Sequence, residues 1–130
     1  MKIRNLFNLK WLIAAILVTL GVLLLTHLPQ EMMPDQLQEN GFDKLQHIVA
    51  YGIITLFFVL SVRKSFSFRL AAIFFVVISI IAMFDELTQP LVNRQAGLMD
   101  WLADLIGVTV VLLSFFFTGS KCKTSTNVGL

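Results

Sequence analysis

The sequence predicts an all-α membrane protein: four transmembrane helices in an antiparallel bundle, with both termini on the cytoplasmic side. Three observations predict it. The chain of 130 residues is 57% hydrophobic and only 14% charged, whereas a soluble domain carries about 25% charge. Four apolar runs, Trp11–Leu28, Leu45–Val62, Phe68–Phe84 and Leu98–Phe117, are each 17 to 20 residues long, close to the roughly 20 that cross a bilayer as a helix. The basic residues alternate by loop. Lys2, Arg4 and Lys10 precede the first run, Arg63, Lys64 and Arg69 separate the second from the third, and Lys121 and Lys123 follow the fourth. The other two loops hold Lys44, Arg94 and all eight acids, counting Asp104 with the loop it adjoins. The positive-inside rule then puts the acidic loops outside. A soluble helical core is excluded, because the first three runs offer water no charged face.

The first run is too long for a signal-peptide core, and LTHLPQ after it lacks a small-x-small cleavage site, so it is expected to be retained. The loop His27–Asp43 carries two prolines and a glycine, with Met32, Met33, Leu37 and Phe42 suited to the headgroup zone. The second and third runs are joined by a short basic turn. Pro90 should end or bend the third helix near Gln89, since it breaks the hydrogen-bond ladder. Gly97 eases re-entry, and Asp100 is expected to cap the fourth helix, where exposed amides favour a carboxylate. Residues 11–117 thus form one domain. Residues 118–130 are polar and expected to be a disordered cytoplasmic tail. Cys122, the only cysteine, excludes an intrachain disulfide. There is no P-loop or GxGxxG, and the scattered basic residues exclude a nucleic-acid surface.

Polar residues recur at helical spacing. Asp43, His47, Tyr51 and Thr55 step by four along the second helix. Ser79, Ala82, Glu86 and Gln89 step by three, four and three along the third, with Asp85 beside them. Asp100, Asp104, Gly107, Val111 and Ser114 step by four, three, four and three along the fourth. Such steps place each set on one face. Each stripe is charged at its outer end and small or apolar deeper in. The three stripes should face one another, with the first helix as a brace, and Ala82 and Gly107 should permit close approach.

A charge at mid-bilayer costs roughly 2.5–3.5 kcal/mol, so Asp104 must face protein, water or a cation. Five acids near this end (Asp43, Asp85, Glu86, Asp100 and Asp104) face only Lys44 and Arg94, leaving three negative charges. His47 can supply one positive charge. Crowded carboxylates in low dielectric resist ionising together. Either some hold protons or a cation completes the set.

The pieces DKLQHIVAY, DELTQ and NRQAGLMDWLADLIG together resemble the VanZ-like family of small membrane proteins. The resemblance covers roughly residues 42–113. It carries the family pattern onto Asp43, Lys44, His47 and Tyr51, then Glu86 and Gln89, then Arg94, Asp100, Asp104 and Gly107. Asp104 stands where the family usually has Asn, Asn93 where Gly often precedes the Arg, and Gly97 where Ser is common. The resemblance implies a bacterial cytoplasmic membrane protein acting at the outer face near cell-envelope precursors, with a link to glycopeptide (teicoplanin) resistance. It implies membrane lipids, and an envelope lipid or glycopeptide-type ligand, as partners. It implies no settled reaction, and the sequence leaves enzymatic activity open.

Three readings remain. One is a site: Lys44 and Arg94 for phosphate, Tyr51 as a deeper donor, and His47, Asp43, Glu86 and Asp104 as ligands for a divalent metal, with or without catalysis. Hard carboxylates suit Mg, Mn or Ca, and the imidazole also permits Zn. The second is structural, with Asp43–His47, Arg94–Asp100 and Lys44–Glu86 pairing as staples. The third is a proton or ion pathway, which the uncharged inner half disfavours.

Overall fold

The structure, a computed structural model, describes residues 7–32, 40–62 and 66–124. These form four helices: α1 (Leu9–Thr26), α2 (Asn40–Ser61), α3 (Phe68–Thr88) and α4 (Leu98–Thr124). No strand occurs among the described residues. All four helices are long and apolar enough to cross a membrane. Large apolar side chains such as Leu24, Leu87 and Leu91 stand exposed on the outside of the bundle, where lipid, not water, is the compatible solvent. The chain is a multi-pass membrane protein.

The helix ends follow local chemistry. Asn8 caps α1 by accepting from the Lys10 amide at 3.2 Å, and Ser67 caps α3 by accepting from Leu70 at 3.4 Å, which satisfies amides a helix start leaves open. Pro90 ends α3 as expected: the chain tightens into a 3-10 turn over Gln89–Val92 and then reverses at Asn93, whose φ of 58° is left-handed. Asn tolerates that region better than most residues.

Two sequence expectations change here. Asp100 is not the cap of α4 but lies in its first turn; the Gly97 carbonyl receives the amides of Asp100 at 3.0 Å and Trp101 at 3.2 Å. The Asp100 carboxylate folds back over Gly97, where a Cβ would collide with it, so a side chain at this position would displace that carboxylate. The tail is also shorter than expected. Residues 118–124 continue α4, because nothing between Phe117 and Thr124 breaks the backbone ladder; residues 125–130 lie outside the described residues. Those added turns include Lys121 and Lys123, so the apolar span still closes at Thr118 and Asp104 still falls within it.

α2 is the hub. It packs most extensively on α4, next on α1, and only lightly on α3, which leans on α4. Gly107 makes the α2–α4 contact possible: a Cβ there would strike the Ile48 carbonyl oxygen and stand 3.0 Å from the Gly52 amide nitrogen. The expected role of a small residue is thus met backbone to backbone. Tyr51, Ile54 and Val59 of α2, Ile78 and Ala82 of α3, and Val108 of α4 belong to one buried core. At one end of the bundle, Asn8 donates its amide to the Ser61 carbonyl at 2.7 Å, and Phe66 packs on Phe115 and Phe116. The opposite end gathers the polar residues.

Candidate functional site

Three helices deliver the stripe residues to one place. From α2, His47 is 4% exposed; its Nδ1 lies 2.8 Å from Asp104 Oδ1 on α4 and 3.7 Å from Glu86 Oε1 on α3. Glu86 is held from both sides. Its Oε1 accepts from Gln89 Nε2 at 3.2 Å, and its Oε2 accepts from the Gly97 amide at 3.0 Å. Gln89 is itself buried, placed by the 3-10 turn that Pro90 imposes. Asp104 is wholly buried, and its Oδ2 has no hydrogen-bond partner.

A second carboxylate system lies beside the first. Asp85 is as buried as Asp104 but well supplied with donors. Thr26 donates to Oδ1 at 2.7 Å, Tyr51 donates to Oδ2 at 3.2 Å, and His27 Nδ1 stands 3.3 Å from Oδ1. His27 Nδ1 also lies 2.8 Å from the Leu23 carbonyl. A carbonyl can only accept, so that nitrogen carries a proton. Its Nε2 meets Thr88 Oγ1 at 2.8 Å.

The ion pairs differ from those the spacing suggested. Arg94 reaches Asp43 at 3.6 Å, not Asp100, and donates from Nη1 to the Thr26 carbonyl at 2.9 Å. The guanidinium therefore sits on the C-terminal end of α1, where unpaired carbonyls favour a cation. Lys44 pairs with Asp100 at 3.8 Å, not with Glu86. His47 turns to Asp104 and Glu86; Asp43 is taken by Arg94. The two full cations at this end, Arg94 and Lys44, thus reach the two rim acids, while Asp85, Glu86 and Asp104 meet imidazoles, hydroxyls and amides.

All nine candidate residues (Asp43, Lys44, His47, Tyr51, Glu86, Gln89, Arg94, Asp100 and Asp104) lie at this polar end. The expectation that α1 only braces the bundle needs correction. Thr26 and His27 enter the polar network, because α1 ends level with Asp85 and its last turn points polar groups inward. Asp85 and Thr88 likewise belong to it. The signal for Asp85 was its place beside the α3 stripe, and for Thr26 the run Ala15, Thr19, Val22, Thr26. For His27, the chain's other histidine, no periodic signal existed.

Two cavities flank the trio. One, of about 430 Å³, opens between α1 and α2; its apolar walls include Val22, Leu25, Val49 and Ile53, with Asp43, His47 and Arg94 among its lining residues. Another, of about 320 Å³, lies between α3 and the start of α4 and is lined by Glu86, Gly97 and Trp101 among others. His47 thus faces one and Glu86 the other. A larger groove of about 570 Å³ at the opposite end, between α3 and α4, is lined by Phe, Ala, Val and Leu with Thr109 alone polar, and has no group to orient a ligand.

No family model, curated protein or solved structure matches this chain.

Proposed function

We propose that this protein binds an anionic amphiphile at its polar end: headgroup on Arg94 and His47, tail along the apolar walls of the α1–α2 cavity. The carrying observation is that one cavity of about 430 Å³ joins Arg94, Asp43 and His47 to Val22, Leu25, Val49 and Ile53. Ligand sites are mostly apolar concavities with a few fixed polar groups, at about 300–1,000 Å³. Arg94 is anchored by Thr26 and Asp43 through Nη1 and Nη2, and its fork of five donors leaves others to meet phosphate or carboxylate oxygens. The charge alternation of the loops supports an outward-facing polar end in a bacterial cytoplasmic membrane. The resemblance to VanZ-like proteins supports an envelope lipid, or a lipid-tailed glycopeptide of the teicoplanin kind, as the amphiphile.

Native mass spectrometry of the purified protein with bound lipid tests this. Arg94→Ala should strip the anionic adduct, and Val49→Trp should exclude the tail. Lipid retention unchanged in both variants would sink the proposal.

A structural reading is favoured by one region only. Asp85, with Thr26, Tyr51 and His27, forms a satisfied network that needs no ligand, and it serves as the staple joining α1, α2 and α3. A proton or ion pathway finds no support among the described residues. Ser61, Ser79 and Ser114 each turn back to a carbonyl of their own helix.

A further inference from the structure

The deficit of positive charge localises to one point. Arg94 and Lys44 meet Asp43 and Asp100, and Asp85 has its own donors, so the buried pair Glu86 and Asp104 shares a single imidazole. We propose that His47 Nδ1, Glu86 Oε1 and the Asp104 carboxylate form a three-ligand site for a divalent transition-metal cation, Zn²⁺ being the best match.

Geometry, chemistry and an unmet valence agree on this. The ligand atoms come from three helices and lie within 4.8 Å of one another. His47 Nδ1 is 2.8 Å from Asp104 Oδ1 and 3.7 Å from Glu86 Oε1. Those separations bracket the roughly 3.4 Å between neighbouring ligands of a tetrahedral zinc with bonds of about 2.1 Å. One nitrogen with two carboxylates suits zinc better than Ca²⁺ or Mg²⁺, which take oxygen shells. Asp104 is fully buried, yet its Oδ2 has no hydrogen-bond partner. A buried carboxylate oxygen is costly without a proton donor or a cation. Around the trio, Gln89 and the Gly97 amide hold Glu86, as outer-shell groups orient metal ligands. Three protein ligands leave a fourth position, the arrangement of sites that bind a further molecule. A second trio, Asp43, His47 and Asp100, surrounds the same imidazole, and Asp100 Oδ1 also has no hydrogen-bond partner; but Arg94 lies 3.6 Å from Asp43 and Lys44 3.8 Å from Asp100, so two cations already offset its acids and it is the weaker set.

The inference does not depend on the amphiphile reading. The probe is zinc alone, and Arg94→Ala, which removes the amphiphile's anchor, should leave zinc content unchanged. Wild-type protein is purified, stripped with chelator, loaded with zinc chloride, desalted and assayed for metal by mass spectrometry. The wild type should retain about one zinc per chain. His47→Ala and Asp104→Asn should lose it, Asp100→Asn should keep it, and Gln89→Ala should weaken affinity about 10- to 100-fold. Wild type retaining no more zinc than His47→Ala overturns the proposal. So does Asp100→Asn losing as much as Asp104→Asn. Thermal unfolding of stripped wild type needs no variant to fold: zinc should raise its Tm, and an unmoved Tm rejects the site.

Discussion

Asp85 and Asp104 are the same side chain at nearly the same burial, one near the end of α3 and the other in the second turn of α4. Around Asp85 the chain supplies the Thr26 and Tyr51 hydroxyls and the His27 imidazole. Around Asp104 it supplies one imidazole, with Ala103, Gly107 and Val108 as neighbours along α4, and one oxygen stays without a partner. Burial therefore does not by itself mark a functional carboxylate. Both acids are hidden from solvent, but only one has its lone pairs answered by the protein. The first behaves as a fastening between helices; the second has coordination to spare.

The widest gap should appear when each acid is altered. Asp85→Ala leaves the buried Tyr51 hydroxyl without its acceptor and takes from Thr26 and His27 their link to α3, and should cost about 2–3 kcal/mol. Asp104→Asn in metal-free protein keeps an acceptor for His47 while deleting an unbalanced charge, and should fall within about 1 kcal/mol of wild type. Reversible unfolding in mixed micelles measures both, and equal costs would erase the distinction. Gly107→Ala tests the framework around Asp104. Its methyl meets the rigid Ile48 carbonyl, so α2 and α4 must part, at about 1–3 kcal/mol in the same unfolding assay. Tyr51→Phe sharpens the picture of Asp85 as oversupplied. It deletes one of the two hydroxyl donors to Asp85 and should cost about 0.6 kcal/mol; a cost near that of Asp85→Ala would show the tyrosine carries the network. Lys44→Ala should matter least, below about 0.5 kcal/mol, because that side chain is half exposed and 3.8 Å from Asp100.

Much of this is legible in the sequence. Four long apolar runs can only be helices in lipid, where every backbone polar group must be satisfied within the segment. Pro90 fixed the end of α3 through the missing amide. Steps of three and four put His47, Glu86 and Asp104 on inward faces, because helical period is a local property. Pairing was not legible. Arg94 meets Asp43 and not Asp100 because the 3-10 turn and the left-handed Asn93 swing the loop back toward α1, and spacing along a helix says nothing of that. Thr26 and His27 escaped for a related reason. α1 carries no charge to flag its inward face, and its contribution lies in its last turn, where the level at which it meets α3 decides contact.

The grip of Arg94 on the end of α1 bears on how the protein is made. Thr26 and His27 are held by Asp85, Thr88 and Arg94, at sequence separations of 59, 61 and 68 residues. During synthesis, α1 emerges first and can lay its apolar flank on α2. Beyond the Leu23 carbonyl of its own helix, its polar end gains these partners when α3 is inserted and the turn after Pro90 has formed. The first of the four helices to be made is therefore fastened at its polar end only after the third.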